Sequence, residues 1–130
     1  MNISHAQKWL LDNELDAYLH LHTDPHQSEY LAKTWQGMSW LTGFTGSAGS
    51  VVLTTSDAAL WADSRYYIQA ENQLDGAGVS LMKMGLPETP TIEEWLLENI
   101  GKDSIVGIDP RLVSVKGFRR RQQALKKHGI

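Results

Sequence analysis

Residues Trp40–Leu74, WLTGFTGSAGSVVLTTSDAALWADSRYYIQAENQL, contain the pattern that decides the fold. Three glycines recur at every third position: Gly43, Gly46 and Gly49. Glycine alone takes positive φ without steric cost, or lets another part of the chain approach its Cα very closely. Two apolar runs follow at 50–55 and 58–62, with Ser56 and Asp57 between them. The stretch predicts a tight glycine loop followed by an antiparallel hairpin, because so short a turn cannot join parallel strands.

A helix start follows the hairpin directly. Asp63 stands at the N-cap position, where a carboxylate can accept the free backbone N–H groups of a first helical turn. Tyr67, Ala70 and Leu74 then recur at helical spacing. We therefore expect a helix that begins at Asp63 and ends near Gly76.

Helix and strand signals alternate through the rest of the chain. Ser4–Gln7 predicts a capping box that opens a first helix ending near Asn13, and residues 17–22 alternate apolar and polar side chains as a strand does. The later predicted elements are a strand at 79–84, a helix opened by a capping box at 91–94 and closed at Gly101, a strand at 105–108, and a basic helix running to Gly129. This order predicts an α/β fold, a mixed sheet with flanking helices.

Composition and charge narrow the classes of function. The 130 residues, 42% of them hydrophobic, are enough for one core, and the absence of cysteine excludes disulfides, thiolate zinc sites and a cysteine nucleophile. No apolar run approaches the roughly 18 residues that span a bilayer, so we expect no membrane segment.

The basic residues are concentrated at the end of the chain. Six of the twelve Lys and Arg lie in the last fifteen residues, which contain no acid, while the first 115 residues hold all fifteen Asp and Glu and carry −9. Such an end is either a nucleic-acid arm or the solvated face of a terminal helix. We favour the solvated face, with Val115, Phe118, Gln122 and Leu125 on its apolar side, because no aromatic platform accompanies the charges.

Several local patterns resemble metal or catalytic sites, and each also has a structural interpretation. His20 and His22 share a strand face near Asp24 and His26, yet nothing fixes a complete ligand set, and alternating polar residues on a strand usually face solvent. Asp24-Pro25 is typical of a short helix start. Ser47 lacks the first glycine of the G-x-S-x-G nucleophile elbow, so the glycines are interpreted as shaping a loop.

The tryptophans divide into two groups. Trp61 and Trp95 lie in apolar patterns and are predicted to be core residues. Trp35 and Trp40 flank Gly37 in a region predicted as a loop, so they are candidates for an exposed position at an interface.

A series of short motifs resembles a known family. The motifs are DPHQSEY at 24–30, GFTGSAG at 43–49, WADSRY at 61–66, LMKMG at 81–85, TPT at 89–91 and GIDP at 107–110. Together they resemble the N-terminal domain of the creatinase/aminopeptidase P family, and within it the Xaa-Pro aminopeptidase branch. The resemblance implies a ribonuclease-H-like mixed sheet of about five to six strands. One of these strands would follow the basic helix, so we expect residues 1–130 to be a creatinase-type N-terminal domain cut from a larger enzyme.

The resemblance also implies which residues bind substrate. In the family, the arginine of the W-x-D-x-RY motif reaches toward the active site and helps to hold substrate, and the subunits of a dimer share that task. This role falls on Arg65, with Trp61 and Tyr66 as secondary candidates. The residues themselves leave open a structural role, in which Arg65 pairs with Asp63 or packs along Tyr66.

The remaining expectations concern the parent enzyme. It would be a metal-dependent, cytoplasmic, homodimeric aminopeptidase that removes the N-terminal residue from peptides with proline second. Its two divalent metals, manganese by resemblance, would be bound by two Asp, one His and two Glu of a C-terminal domain that is absent here. We therefore expect no catalytic residue, metal site or cofactor within residues 1–130, and no nucleic-acid or membrane partner. The alternatives are the same domain of an Xaa-Pro dipeptidase or creatinase, and a stand-alone binding module.

Overall fold

The computed structural model describes residues 2–130, which form a five-stranded sheet with five α-helices. The strands are β1 Ala17–Leu21, β2 Ser50–Thr54, β3 Ala58–Ala62, β4 Ser80–Lys83 and β5 Val106–Ile108. The helices are α1 Ile3–Asp12, α2 Gly37–Thr42, α3 Tyr67–Gln73, α4 Ile92–Asn99 and α5 Val115–Lys126. Three single 3-10 turns cover Lys33–Trp35, Ser64–Tyr66 and Pro110–Leu112.

The sheet has the strand order β4-β3-β2-β1-β5. Strand β2 is antiparallel to both β1 and β3, whereas β3 pairs with β4, and β1 with β5, in parallel. All strands except β2 therefore run in the same direction. The predicted α/β class is confirmed, and so is the antiparallel hairpin, in which Val51 pairs with Leu60.

Helices cover both faces of the sheet. On one face, α1, α2 and α3 pack over Val51, Leu53, Leu60 and Ala62, and on the other, α4 and α5 pack over Leu19, Val52 and Trp61. Strand β3 is buried along its whole length because both of its faces meet helices.

This two-sided packing overturns one expectation about β1. Polar residues that alternate along a strand face solvent only where that face of the sheet is open. Here α1 and α2 cover it, so His20 is only 8% exposed rather than solvated as predicted. Gly37 of α2 lies directly against the His20 ring: a Cβ at Gly37 would stand 2.6 Å from His20 Cε1.

Of the two predicted capping boxes, one is right and one is wrong. Thr91 and Glu94 form the predicted capping box, with the Glu94 N–H donating to Thr91 Oγ1 at 3.1 Å and the Thr91 N–H donating to Glu94 Oε2 at 2.9 Å. The Ser4–Gln7 box is wrong, because α1 already begins at Ile3. Asn2 precedes the helix without capping it and instead donates its side-chain N–H to the Trp40 carbonyl at 2.7 Å.

Two further local predictions need correction. Trp35 and Trp40 do not lie in a loop: Trp35 ends a 3-10 turn and Trp40 lies in α2. Asp24 starts no helix either. Its carboxylate accepts the N–H groups of His26 at 2.8 Å and Ser28 at 3.0 Å, so it has the predicted structural role in a turn.

The basic helix α5 begins after Ser114, whose hydroxyl accepts the Gly117 N–H at 3.0 Å. Leu125 is buried as predicted, but Val115 is exposed, so the predicted apolar side of this helix holds only toward its C-terminal end. Arg121 forms an ion pair with Glu93 of α4 at 2.9 Å. Within residues 2–130, no helix combines the length and the apolarity needed to cross a membrane.

Candidate functional site

The sequence motifs come together at one edge of the sheet. Because β1, β3, β4 and β5 run in the same direction, their carboxyl ends lie at one edge, and the amino end of the antiparallel β2 lies there too. We call this the motif edge. It consists of residues 22–30, 43–49, 63–66, 84–85 and 109–111, which belong to five different motifs. Loops at the carboxyl edge of strands are where open α/β sheets bind ligands.

The glycine loop is shaped by both properties that favour glycine. Gly43 ends α2 in the left-handed region, with φ 81°. A Cβ at Gly46 would lie 2.3 Å from Phe44 Cζ, and one at Gly49 would lie 3.2 Å from the backbone oxygen of Trp61. The glycines therefore let the loop pack tightly between α2 and β3, in agreement with the interpretation that they shape a loop.

Asp63 and Arg65 form a closed local unit after β3. The Asp63 carboxylate accepts the Arg65 backbone N–H at 3.0 Å, so its predicted capping role is confirmed, but it caps a 3-10 turn, and the helix predicted to begin there starts only at Tyr67. The same carboxylate binds the guanidinium side-on, at 3.0 Å from Nε and 2.9 Å from Nη2. These hydrogen bonds hold the pKa of Asp63 below its usual value.

The Arg65 side chain is fixed in place yet open to solvent. Its guanidinium carbon lies 5.1 Å from the centre of the Tyr66 ring, and its side chain is 66% exposed. Both structural roles considered from the sequence, pairing with Asp63 and packing on Tyr66, are thus present together. They leave Nη1 of the guanidinium outside the ion pair with Asp63.

Tyr66 packs between Arg65 and the rest of the fold. Its ring packs edge-on against Phe44, with 5.8 Å between the ring centres, and its hydroxyl shares a hydrogen bond with the Ser47 hydroxyl. That hydrogen bond lowers the pKa of Tyr66. Tyr66 thus connects the turn that carries Arg65 to the glycine loop.

Trp61 lies in the core and not beside Arg65 and Tyr66. It is only 3% exposed, its indole N–H donates to the Pro90 carbonyl at 2.9 Å, and its ring packs edge-on against Trp95 at 5.8 Å between centres. The predicted core role of both tryptophans is confirmed. The structure thus separates the three candidate substrate residues: Arg65 and Tyr66 lie together at the motif edge, and Trp61 lies in the core.

A second arginine unit repeats the first at the end of β5. The Asp109 carboxylate accepts the Arg111 backbone N–H at 2.9 Å and binds its guanidinium at 3.0 Å from Nε and 2.8 Å from Nη2. The Arg111 guanidinium carbon lies 5.1 Å from the centre of the Trp35 ring. Sequence reasoning missed this unit, although the signal was present: Asp63-Ser64-Arg65 and Asp109-Pro110-Arg111 have the same Asp-x-Arg spacing after a strand.

The histidines near β1 do not form a metal centre. Burial lowers the pKa of both His20 and His22, and His20 Nε2 and His22 Nδ1 are buried without hydrogen-bond partners. Within residues 2–130, no three His, Asp or Glu side chains lie close enough together to hold a metal ion. A hollow of about 150 Å³ lies between His22, Glu29 and the glycine loop.

Comparison with known proteins agrees with the motifs. The sequence model of the family described as the Creatinase/Prolidase N-terminal domain matches residues 2–129. The chain is 50% identical over 105 residues to the Drosophila melanogaster Xaa-Pro aminopeptidase ApepP, covering 81% of this chain and 17% of that protein. It is 38% identical over 128 residues to Xaa-Pro aminopeptidase 1 of Dictyostelium discoideum, covering 98% of this chain and 20% of that protein.

A solved structure gives the same result. The X-prolyl aminopeptidase of Caenorhabditis elegans, described as a cytosolic enzyme with a di-nuclear active site, superposes with a TM-score of 0.83 at 41% identity, over 88% of this chain and 19% of that one. The chain spans about a fifth of the length of these relatives. With its fold and motifs, the match over residues 2–129 shows that the chain belongs to the creatinase/prolidase N-terminal domain family.

Proposed function

We propose that this chain is the non-catalytic N-terminal domain of a metal-dependent Xaa-Pro aminopeptidase. The parent enzyme would remove the N-terminal residue from peptides with proline second, and this domain would complete and shield the peptide-binding cleft. The observation that carries the proposal is the convergence of five family motifs at one edge of the sheet. Residues that served only the core of this domain would have no reason to collect there.

Arg65 is the residue that we propose to contact substrate. Its side chain is exposed, and Asp63 and Tyr66 already restrict its orientation, so binding would cost little further side-chain entropy. A guanidinium suits carbonyl and carboxylate oxygens because its donors form a rigid planar fork. Tyr66 would act through Arg65 by supporting it, and Trp61 would act only by packing.

The metal ions would be bound outside this chain. We propose two divalent ions, manganese by resemblance, held by a metallopeptidase domain C-terminal to residue 130. The described residues 2–130 offer no fitting ligand set, so we assign no step of the reaction to them. We also propose that the parent enzyme is cytoplasmic, in keeping with the cytosolic relative from C. elegans, and, from the family resemblance alone, that it is a homodimer.

Relatives favour this function over the alternatives. The proteins that match at 38% and 50% identity are named Xaa-Pro aminopeptidases. The Xaa-Pro dipeptidase of Bacillus anthracis matches at 18% identity, which supports a shared fold and not a shared substrate. A stand-alone binding module would need a surface with its own ligand, and the basic helix α5 offers exposed charge with one partly exposed aromatic residue, Phe118, which is not a stacking platform.

The decisive experiment is to translate the reading frame beyond Ile130 and to assay both proteins. We expect downstream Asp, Asp, His, Glu and Glu ligands, and Mn²⁺-dependent cleavage of Xaa-Pro peptides by the longer protein. The 130-residue chain should cleave none, with or without Mn²⁺, because a metal-activated water needs a complete ligand set. A stop codon directly after Ile130, or turnover by the pure 130-residue chain, would refute the proposal.

A further inference from the structure

Arg65 and Arg111 are two copies of one arrangement. In each, an Asp that follows a parallel strand caps a 3-10 turn and binds the arginine through Nε and Nη2, with the two sets of distances agreeing within 0.1 Å. Each guanidinium carbon lies 5.1 Å above an aromatic ring. The two side chains are also equally open, at 66% and 65% exposed.

The side-on ion pair leaves several N–H donors of each guanidinium available for another contact. An arginine has five N–H donors, and Asp109 takes only Nε–H and one Nη2–H of Arg111. The end-on pair of donors, one on Nη1 and one on Nη2, matches the two oxygens of a second carboxylate. Asp109 therefore holds Arg111 in one orientation and leaves it N–H donors for a second carboxylate.

Both arginines lie near the segment that connects β1 to α2. The segment between β1 and α2 supplies Trp35, on which Arg111 stacks, and Glu29, whose charge acts on Arg65. Both units also lie on the face of the sheet that α1, α2 and α3 cover, because Tyr66, next to Arg65, and Tyr18, whose charge acts on Arg111, pack against that core. Strands β3 and β5 are three places apart in the sheet, which sets the arginines roughly 14 Å apart at about 4.8 Å for each strand spacing.

From this geometry we infer that Arg111 binds the C-terminal carboxylate of longer peptide substrates. The inference rests on the proposed function, and it places Arg65 near the N-terminal end of the peptide, where the parent enzyme would cut. An extended peptide advances about 3.3 Å per residue, so roughly four residues separate the two arginines. The C-terminal carboxylate is the one anionic group that every unmodified peptide carries. Arg65 would then act on all substrates, and Arg111 only on peptides of about five or six residues.

The test uses the full-length enzyme and three substrates: Ala-Pro-Ala, the hexapeptide Ala-Pro-Ala-Ala-Ala-Ala, and the same hexapeptide with an amidated C-terminus. Arg111→Ala should raise KM for the free-acid hexapeptide about three- to tenfold, the effect of a lost charged hydrogen bond partly screened by solvent, with kcat nearly unchanged. KM for the tripeptide and for the amide should stay as in the wild type. Arg111→Lys should restore part of the loss, because an ammonium keeps the charge but lacks the fork.

Lys127→Ala is the matched control, because this exposed cation lies at the far end of α5, near the opposite edge of the sheet. It should change none of the three KM values, and unfolding temperatures should show that every variant folds. Equal effects of Arg111→Ala on the acid and the amide, or no effect on either, would overturn the inference while the proposed function stood. A full-length protein that cleaves no Xaa-Pro peptide would refute both.

Discussion

The hydroxyl groups of Tyr66 and Ser47 share a hydrogen bond that joins the turn after β3 to the glycine loop before β2. On one side the Tyr66 ring packs against Phe44, and the Arg65 guanidinium stacks on the same ring. The orientation of Arg65 therefore depends on a contact between two loops that are distant from each other in sequence.

Tyr66→Phe removes this hydrogen bond and keeps the ring. The Ser47 hydroxyl loses its partner in a partly buried position, so we expect the unfolding temperature of the 130-residue chain to fall by roughly 2–6 °C. Thermal unfolding followed by circular dichroism measures the change. Tyr30→Phe is the control, because the Tyr30 side chain is 79% exposed, and it should leave the unfolding temperature unaltered. Equal effects of the two substitutions would show that the Tyr66–Ser47 contact adds nothing.

Gly46→Ala should destabilise the chain by crowding the glycine loop. The new Cβ would lie 2.3 Å and 2.8 Å from two atoms of the buried Phe44 ring and 3.0 Å from Tyr66 Cδ1, and neither ring can move away cheaply. Such overpacking costs about 1–3 kcal/mol of unfolding free energy, which urea denaturation measures.

Gly101→Ala is a matched control for the same chemical change. Nothing lies within 4 Å of a Cβ at Gly101. The substitution should leave the stability unchanged or raise it by up to about 1 kcal/mol, because alanine restricts the unfolded chain. A Gly46→Ala variant as stable as Gly101→Ala would contradict the steric account of the loop.

Local signals in the sequence predicted the elements that depend on local contacts. The Asp63 cap and the Thr91–Glu94 capping box each involve residues within three positions of one another, so their geometry follows from the chain itself. The hairpin from Ser50 to Ala62 was predictable for the same reason, since a short turn allows only antiparallel pairing.

The errors arose where distant parts of the chain decide the outcome. His20 is buried because α1 and α2 cover β1, which alternation along the strand cannot reveal. Asn2 bonds to Trp40 rather than capping α1, a contact that depends on how two helices pack. The Asp-x-Arg spacing of the Arg111 unit is visible in the sequence. The contact of Arg111 with Trp35 and the parallel pairing of β1 with β5, which make this unit similar to the Arg65 unit, are not.

The stability of the chain should fall as the pH decreases from about 7 to 5. Burial lowers the pKa of His20 and leaves its Nε2 without a partner. Below the usual histidine pKa of about 6.5, the unfolded chain takes up a proton that the folded chain does not, so the free energy of unfolding decreases. His22 acts in the same direction.

Urea denaturation at pH 7.5 and pH 5.5 measures this difference. His20→Leu should reduce it, because the replacement cannot be protonated in either state. His128→Leu, which changes an exposed histidine, should keep the full difference. A pH dependence that His20→Leu leaves intact would place its origin in other groups.

The basic helix α5 should bind duplex DNA only weakly. Arg121 is already paired with Glu93, and the other cations of α5 are accompanied by a single partly exposed aromatic side chain, Phe118, rather than by a platform on which successive bases could stack. Fluorescence anisotropy with two unrelated duplexes should detect weak binding at low salt, equal for both, that is lost near physiological salt because it depends on counterion release. A tight complex that persists at physiological salt and prefers one duplex would revive the stand-alone binding module.

Arg65→Ala tests the proposed substrate contact in the full-length enzyme. Losing a charged hydrogen bond to substrate should lower kcat/KM on the order of ten- to a hundredfold for every Xaa-Pro peptide. Arg65→Lys should recover only part of this loss, because an ammonium has no planar fork. The fold should survive, since Asp63 accepts the backbone N–H of residue 65, and alanine keeps that group.

Asp63→Asn separates the substrate contact from the support that holds it. Asparagine still accepts the backbone N–H but no longer attracts the guanidinium, so Arg65 should keep its donors and lose its fixed orientation. We expect an intermediate loss in kcat/KM, smaller than that of Arg65→Ala, with a nearly unchanged unfolding temperature. If Arg65→Ala instead unfolds the domain while the remaining folded enzyme keeps normal kinetics, Arg65 is structural and the substrate assignment is wrong.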